Sequence, residues 1–291
     1  VIPRFALARP QSLPEAFAAF AAADGDAAWY AGGTELLQVM KMGLARFGTL
    51  IDLKAVPELA GIARDPSGAL VIGATVTHRE VERSPLVATE LPALAALTRH
   101  IANVRVRNQG TLGGNLCFAE PHSDPATFLL ACDAKVLLQG PRGSRVVGLG
   151  AFLEGPFATA REPDEVLVSV AVPARRPAEG RAYEKVKFRE RPAVSVAAQI
   201  RLEGDRVAEA AVAVGSLADT PVRLLAAEAA LEGVPAGELS PAGRMPGLDD
   251  ALAALDAVDD LDGSADYKRH LAGVLLGRAL QQSVAEAMAD A

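Results

Sequence analysis

Two stretches decide how this chain is read: Ala31-Gly32-Gly33-Thr34-Glu35-Leu36-Leu37 and Arg107-Asn108-Gln109-Gly110-Thr111-Leu112-Gly113-Gly114-Asn115. Before the first lies the compact apolar run Ala27-Ala28-Trp29-Tyr30, and after it Leu36, Leu37, Val39 and Met40 recur at helical spacing. The pattern is strand, glycine turn, helix. Missing β-carbons let a phosphate approach the main chain, and the N-terminus of the following helix offers backbone N–H groups. One glycine pair also serves as a plain tight turn. A second pair flanked by short side chains suits a ligand with two phosphates. Neither stretch has the glycine spacing of a dinucleotide-binding Rossmann fingerprint or a Walker loop.

Working outward, Ser12-Leu13-Pro14-Glu15 has the form of a helix-capping box ahead of Ala16, Phe17, Phe20 and Ala21. Residues 49–53 and 70–74 are expected as strands and residues 91–100 as a helix. Residues 104–112 alternate in part, as a strand would, and Asp124-Pro125 begins a further helix. Residues 134–138, 145–147 and 165–172 complete the strands of this half. The segment 173–180 is the best linker candidate, because prolines, glycine and charge replace the apolar pattern there. Beyond it, residues 182–188, 194–202 and 206–214 predict a three-stranded antiparallel sheet, with Glu203-Gly204-Asp205 as a tight turn. Residues 222–231, 249–255 and 265–288 predict helices. The expected class is α+β, with a larger N-terminal half and a smaller sheet-plus-helix domain.

The 291 residues are half hydrophobic, enough for two modest cores. A formal net charge of -7 gives no footprint for a nucleic-acid backbone. No apolar run approaches the roughly 20 residues of a spanning helix, and Val1-Ile2-Pro3-Arg4 lacks the apolar core of a secretion signal. A cytoplasmic location is expected. Cys117 and Cys132 cannot furnish a four-thiolate cluster, and the four histidines, His78, His100, His122 and His270, form no spaced metal pair. Neither a metal site nor a nucleophilic triad is expected.

The two glycine stretches together resemble the paired FAD motifs of the medium subunit of the xanthine dehydrogenase and aerobic carbon monoxide dehydrogenase family, the molybdenum hydroxylases. Leu50-Ile51-Asp52-Leu53, Pro57-Glu58-Leu59, Ile72-Gly73-Ala74 and Tyr267-Lys268-Arg269-His270-Leu271-Ala272 extend the likeness over nearly the whole chain. The resemblance implies a vanillyl-alcohol-oxidase (PCMH) type FAD domain over residues 1–175, in two α/β subdomains of about 1–56 and 57–175, and the family's C-terminal domain over 176–291. It implies that Ala31, Gly32, Gly33, Thr34 and Glu35, with Thr111, Leu112, Gly113, Gly114 and Asn115, hold the FAD diphosphate. Asp124 would bond ribityl or ribose hydroxyls, since a carboxylate accepts from hydroxyls but repels phosphate. Lys185 would touch the flavin from the C-terminal domain, or is a solvated strand lysine.

Pro192 stands near where family members often carry an aromatic residue over the flavin ring, and a proline cannot stack in that way. His122 is expected to be exposed. Arg105 and Arg107 would either steer phosphates or make surface ion pairs. The same resemblance implies electron transfer from 2Fe-2S clusters on a small subunit to an external acceptor. It further implies that substrate is oxidised on a large molybdopterin subunit and that the complex is a dimer of heterotrimers. A self-standing FAD oxidoreductase and a noncatalytic nucleotide-binding subunit are the alternatives.

Overall fold

The structure, a computed structural model, describes residues 2–239 and 247–289; Val1 and the last two residues of the expected C-terminal domain lie outside it. Ser12 caps the first helix, Leu13–Ala22, its side chain accepting from the Glu15 N–H. The strand Thr49–Asp52 then sits between Ala6–Ala8 and Ala27–Tyr30 in a parallel three-stranded sheet. The first glycine turn leaves this sheet at Tyr30, and the helix Leu36–Lys41 follows it.

The second sheet has five antiparallel strands, in the order Ile62–Arg64, Leu70–Gly73, Val166–Val172, Lys135–Gly140 and Gly143–Gly148. Val166–Val172 is central and almost continuously apolar, as a strand covered on both faces should be. Val166 and Val168 pack with Leu13, Ala16 and Ile51 of the first unit, while Val170 and Val172 join a larger core with Leu94, Leu116, Phe128 and Phe152. The second glycine pair is not a turn between elements: Thr111 caps the helix Leu112–Phe118, and Gly113 and Gly114 form its first turn against this core.

Residues 104–112 are not a strand: Asn103 accepts from the N–H groups of Arg105 and Val106, and this cap nucleates the short helix Val104–Arg107. The C-terminal sheet has four strands, not three. Glu179–Val186, Val194–Glu203 and Arg206–Gly215 are joined by Val222–Arg223, and the helix expected from residue 222 begins at Leu225. Arg223 explains the difference: extended there, it reaches Glu228 at 2.5 Å and Asp133 at 2.7 Å.

This sheet is sandwiched, and its period-2 alternation decides what it touches. Ala197 and Ala213 join the core that holds the helix Asp124–Ala131, whereas Val196, Ala198, Val212 and Val214 face the long helix Ala265–Ala289. Gly180 allows that helix to press close, because a β-carbon there would lie 1.9 Å from the Ser283 carbonyl oxygen. The second half of the expected linker is ordered by charge: Arg176 bonds Glu179 and Glu209, and buried Arg181 pairs with buried Glu179.

Candidate functional site

The two glycine turns meet. A β-carbon on Gly32 would lie 2.1 Å from the Gln109 carbonyl oxygen, so glycine is required for the first turn to rest on the second. At Gly110 the hydroxyl of Thr34 and the ring edge of His78 each come within 3.4 Å of where a β-carbon would stand.

The first turn is open to a ligand. Gly33 has φ +71°, and among the described residues the backbone N–H groups of Gly32, Gly33, Thr34, Glu35 and Leu36 have no acceptor. Successive unpartnered N–H groups in such a turn form an anion-binding concavity. At its base, Lys54 donates to the Ala31 carbonyl at 3.1 Å, pairs with Asp52 at 2.7 Å and lies over the Tyr30 ring. Lys54 was not a candidate from the sequence.

The second turn is tied into the protein. The Leu112 N–H goes to Val76, the Gly113 N–H to Ala74, the Gly114 N–H to the Thr111 hydroxyl and the Asn115 N–H to the Thr111 carbonyl. Gly113 serves helix-to-strand packing, since a β-carbon there would meet Ala74 at 2.5 Å, and Leu112 belongs to the core. Gly114 is exposed, and Asn115 accepts from Ser123 at 2.6 Å, leaving its amide NH2 for another partner. Beneath the turn, the His78 N–H donates to the Gly110 carbonyl, while the buried His78 Nδ1 has no partner. Burial, aided by the Arg107 charge, pushes this imidazole down to about 4.

Asp124 and Lys185 are brought together across the junction of the two halves, Nζ to Oδ2 at 2.6 Å, and the Tyr183 hydroxyl donates to the other oxygen. Ser123, not Asp124, caps the helix Asp124–Ala131, which frees the carboxylate to face the C-terminal sheet. Each oxygen keeps a lone pair for a further donor. Burial, reinforced by the Asp124 charge, holds the Tyr183 phenol well above its ordinary range. Tyr183 was missed, although its i, i+2 relation to Lys185 puts both on one strand face.

His122 is not an exposed loop residue: its ring lies 3.0 Å from Glu120 and 3.7 Å from Asp260, a quarter exposed. Arg191 reaches Glu120 at 2.5 Å and Glu35 of the first turn at 3.6 Å. Arg107 takes the ion-pair role, bonding Glu82 at 3.0 Å. Cys117 and Cys132 are free thiols, half-buried and buried. Burial pushes Cys132 up to about 12, far from a reactive thiolate. Among the described residues no cluster of metal ligands occurs, and no helix is long and apolar enough to cross a membrane.

An open run of N–H groups, a glycine contact no side chain could share, and a carboxylate with lone pairs to spare fit a dinucleotide such as FAD. Comparison with known proteins agrees. Residues 3–175 match the family described as the FAD binding domain in molybdopterin dehydrogenase, and residues 181–283 match the CO dehydrogenase flavoprotein C-terminal domain. The chain belongs to the FAD-binding medium subunits of the molybdenum hydroxylases, and is an oxidoreductase subunit with a PCMH-type FAD domain.

Within that family it is 35% identical over 280 residues to the carbon monoxide dehydrogenase medium chain of Hydrogenophaga pseudoflava, covering 96% of each chain. It is 31% identical to the nicotine 6-hydroxylase medium subunit of Paenarthrobacter nicotinovorans, covering 97% of this chain and 98% of that one. A structure of the Hydrogenophaga pseudoflava carbon monoxide dehydrogenase lacking the Mo-pyranopterin moiety of its cofactor superposes with a TM-score of 0.90 at 35% identity, covering 98% of this chain and 99% of that one.

Proposed function

We propose that this chain holds FAD across the junction of its two glycine turns and carries electrons between partner-held 2Fe-2S clusters and an external acceptor. The observation that carries the reading is the run of N–H groups from Gly32 to Leu36, without acceptors among the described residues and seated against Gln109 and Gly110. Ala31, Gly32, Gly33, Thr34 and Glu35 bind the diphosphate by main-chain donation. Thr111, Leu112, Gly113, Gly114 and Asn115 act mainly as a rigid platform, with the Asn115 amide among the donors they still have free. Asp124 accepts from ligand hydroxyls, and Lys185 balances its charge, keeping one ammonium donor after those to Asp124 and the His100 carbonyl.

Bound FAD supplies a centre that exchanges electrons singly or in pairs, so the chain itself needs no acid–base pair. Its residues orient the cofactor and exclude water around it. In this reading residues 1–175 bind the cofactor and 176–291 close over it, with a large molybdopterin subunit and a small 2Fe-2S subunit as partners in a dimer of heterotrimers in the cytoplasm. Anaerobic flavin bleaching tests the role. A substrate of the complex should leave the flavin of the isolated chain oxidised and bleach it in the reconstituted complex. Rapid bleaching of the partner-free chain would instead favour a self-standing flavoenzyme.

A further inference from the structure

The hairpin loop of residues 187–193 joins the strands Glu179–Val186 and Val194–Glu203, and it is held by charge at both flanks. On one side Arg191 bridges Glu35 and Glu120, tying the loop to the first glycine turn and to the segment that follows the second. On the other, Arg189 donates to the Leu261 carbonyl at 3.2 Å and lies 3.8 Å from Asp262. Between them is a cavity of about 410 Å³ whose lining includes Glu120, His122, Arg189, Glu190, Arg191 and Asp260.

The side chains around this cavity alternate in sign from one half of the molecule to the other. Glu35 faces Arg191, Arg191 faces Glu120, Glu120 faces His122, and His122 faces Asp260, which is anchored at 2.8 Å by the buried ammonium of Lys268. Only His122 changes charge near neutral pH. Glu120 takes its Nδ1–H, so in the neutral ring Nε2 presents a lone pair to the Asp260 carboxylate 3.7 Å away. Adding a proton at Nε2 turns that repulsion into attraction and completes the chain of charges.

We propose that Arg191 and His122 form a proton-dependent clasp that fastens the 187–193 loop across the first glycine turn and so sets how readily the dinucleotide enters and leaves. The assignment of the ligand rests on the FAD reading above; the clasp itself rests on the side chains alone. Its pH sense follows from the surroundings of the ring. The hydrogen bond to Glu120 outweighs burial and, with the Asp260 charge, raises the His122 imidazole despite the opposing Arg191 charge. Burial works against ionised Glu120, but His122 and Arg191 overcome it and hold this carboxyl below its usual range. A raised histidine contributes fully below its unfolded value near 6.5, and the contribution is lost as pH rises through the folded value.

The test is hydrogen exchange of the full chain, corrected for intrinsic rates, at pH 5.5 and pH 8, with the FAD release rate followed in parallel by flavin fluorescence. Residues 187–193 should exchange severalfold more slowly at the lower pH, and FAD should leave severalfold more slowly there. His122→Asn should remove both differences while the thermal midpoint at pH 8 stays in place. Arg191→Gln should lose the protection at both pH values. A native loop whose exchange ignores pH overturns the clasp even if FAD binds well. A pH-dependent loop whose FAD release does not change overturns the gating role. A pH-dependent loop in a chain that takes up no flavin overturns the FAD reading and leaves the clasp standing.

Discussion

Among the described residues, the first glycine turn leaves the N–H groups of Gly32 to Leu36 without acceptors, whereas the second glycine pair's helix start spends those of Leu112 to Asn115 on Ala74, Val76 and Thr111. Gly33 is left-handed and borders the Tyr30 ring; Gly113 is buried against a strand and Gly114 is exposed on a regular helix. Two motifs built on the same glycine pair therefore divide the task. One presents donors and the other supplies the surface on which those donors are held. A glycine pair in sequence reports only that something comes close to the backbone. Whether that neighbour is a ligand or another strand depends on where the N–H groups go.

The largest expected effect breaks the presenting turn. Gly33→Val forces a β-branched residue into a left-handed position and drives its Cβ to 2.3 Å from the Tyr30 ring. The strain should cost about 4 kcal/mol of cofactor affinity, roughly a thousandfold, and abolish FAD retention through gel filtration with the circular dichroism of the fold intact. Undiminished flavin would remove the first turn from the site.

Next comes the carboxylate that both halves share. Asp124→Ala strands Lys185 and the Tyr183 hydroxyl in a largely buried place, which should lower stability by about 3 kcal/mol in urea titrations. It should also weaken FAD more than His122→Ala does. Equal flavin affinities in the two variants would reduce Asp124 to a structural brace.

The platform turn should respond to acid. His78, 4% exposed beneath Gly110, is pushed down to about 4, below its unfolded value near 6.5. The unfolded chain therefore binds the proton first, and stability falls as pH drops through this window. About 2 kcal/mol should go between pH 7 and pH 5, and His78→Gln should flatten that part of the curve. An unchanged slope would mean that the ring takes up its proton in place.

The smallest effect sharpens the contrast. At Gly114 a β-carbon meets only the Thr111 hydroxyl, at 2.8 Å. Gly114→Ala trades part of a helix cap against better helix propensity, and the net change in thermal stability should stay under about 1 kcal/mol with FAD retained. A loss of flavin as complete as that of Gly33→Val would restore the two turns to equal roles.

Much of this was legible because it is local. The Ser12 cap, the first glycine turn and the hairpin at Glu203-Gly204-Asp205 are written in neighbouring residues, and the structure has them, whereas Gly113 and Gly114, expected as a turn, stand inside a helix. The strands Ala6–Ala8 and Ile62–Arg64 were missed because each is three residues long and mostly exposed, too short for a period to register. The insertion of Val166–Val172 between Leu70–Gly73 and Lys135–Gly140 is a long-range pairing that no local pattern encodes. The site divides in the same way. Asp124 and Lys185 were visible singly, but their ion pair, and the places of Tyr183, Lys54 and Arg191, depend on contacts between distant segments.

The helix Ala265–Ala289 covers one face of a sheet whose third strand, Arg206–Gly215, ends long before the helix is made. At typical synthesis rates of about 5–20 residues per second, the roughly 74 residues from the end of that strand to the end of the helix take on the order of 4–15 s to be made. Throughout that interval Val196, Ala198, Ile200, Val212 and Val214 lack their cover while the nascent chain is still on the ribosome. A growing chain of this kind invites chaperone binding, and synonymous codons that slow translation after Gly215 should lower the yield of native protein without changing a single residue.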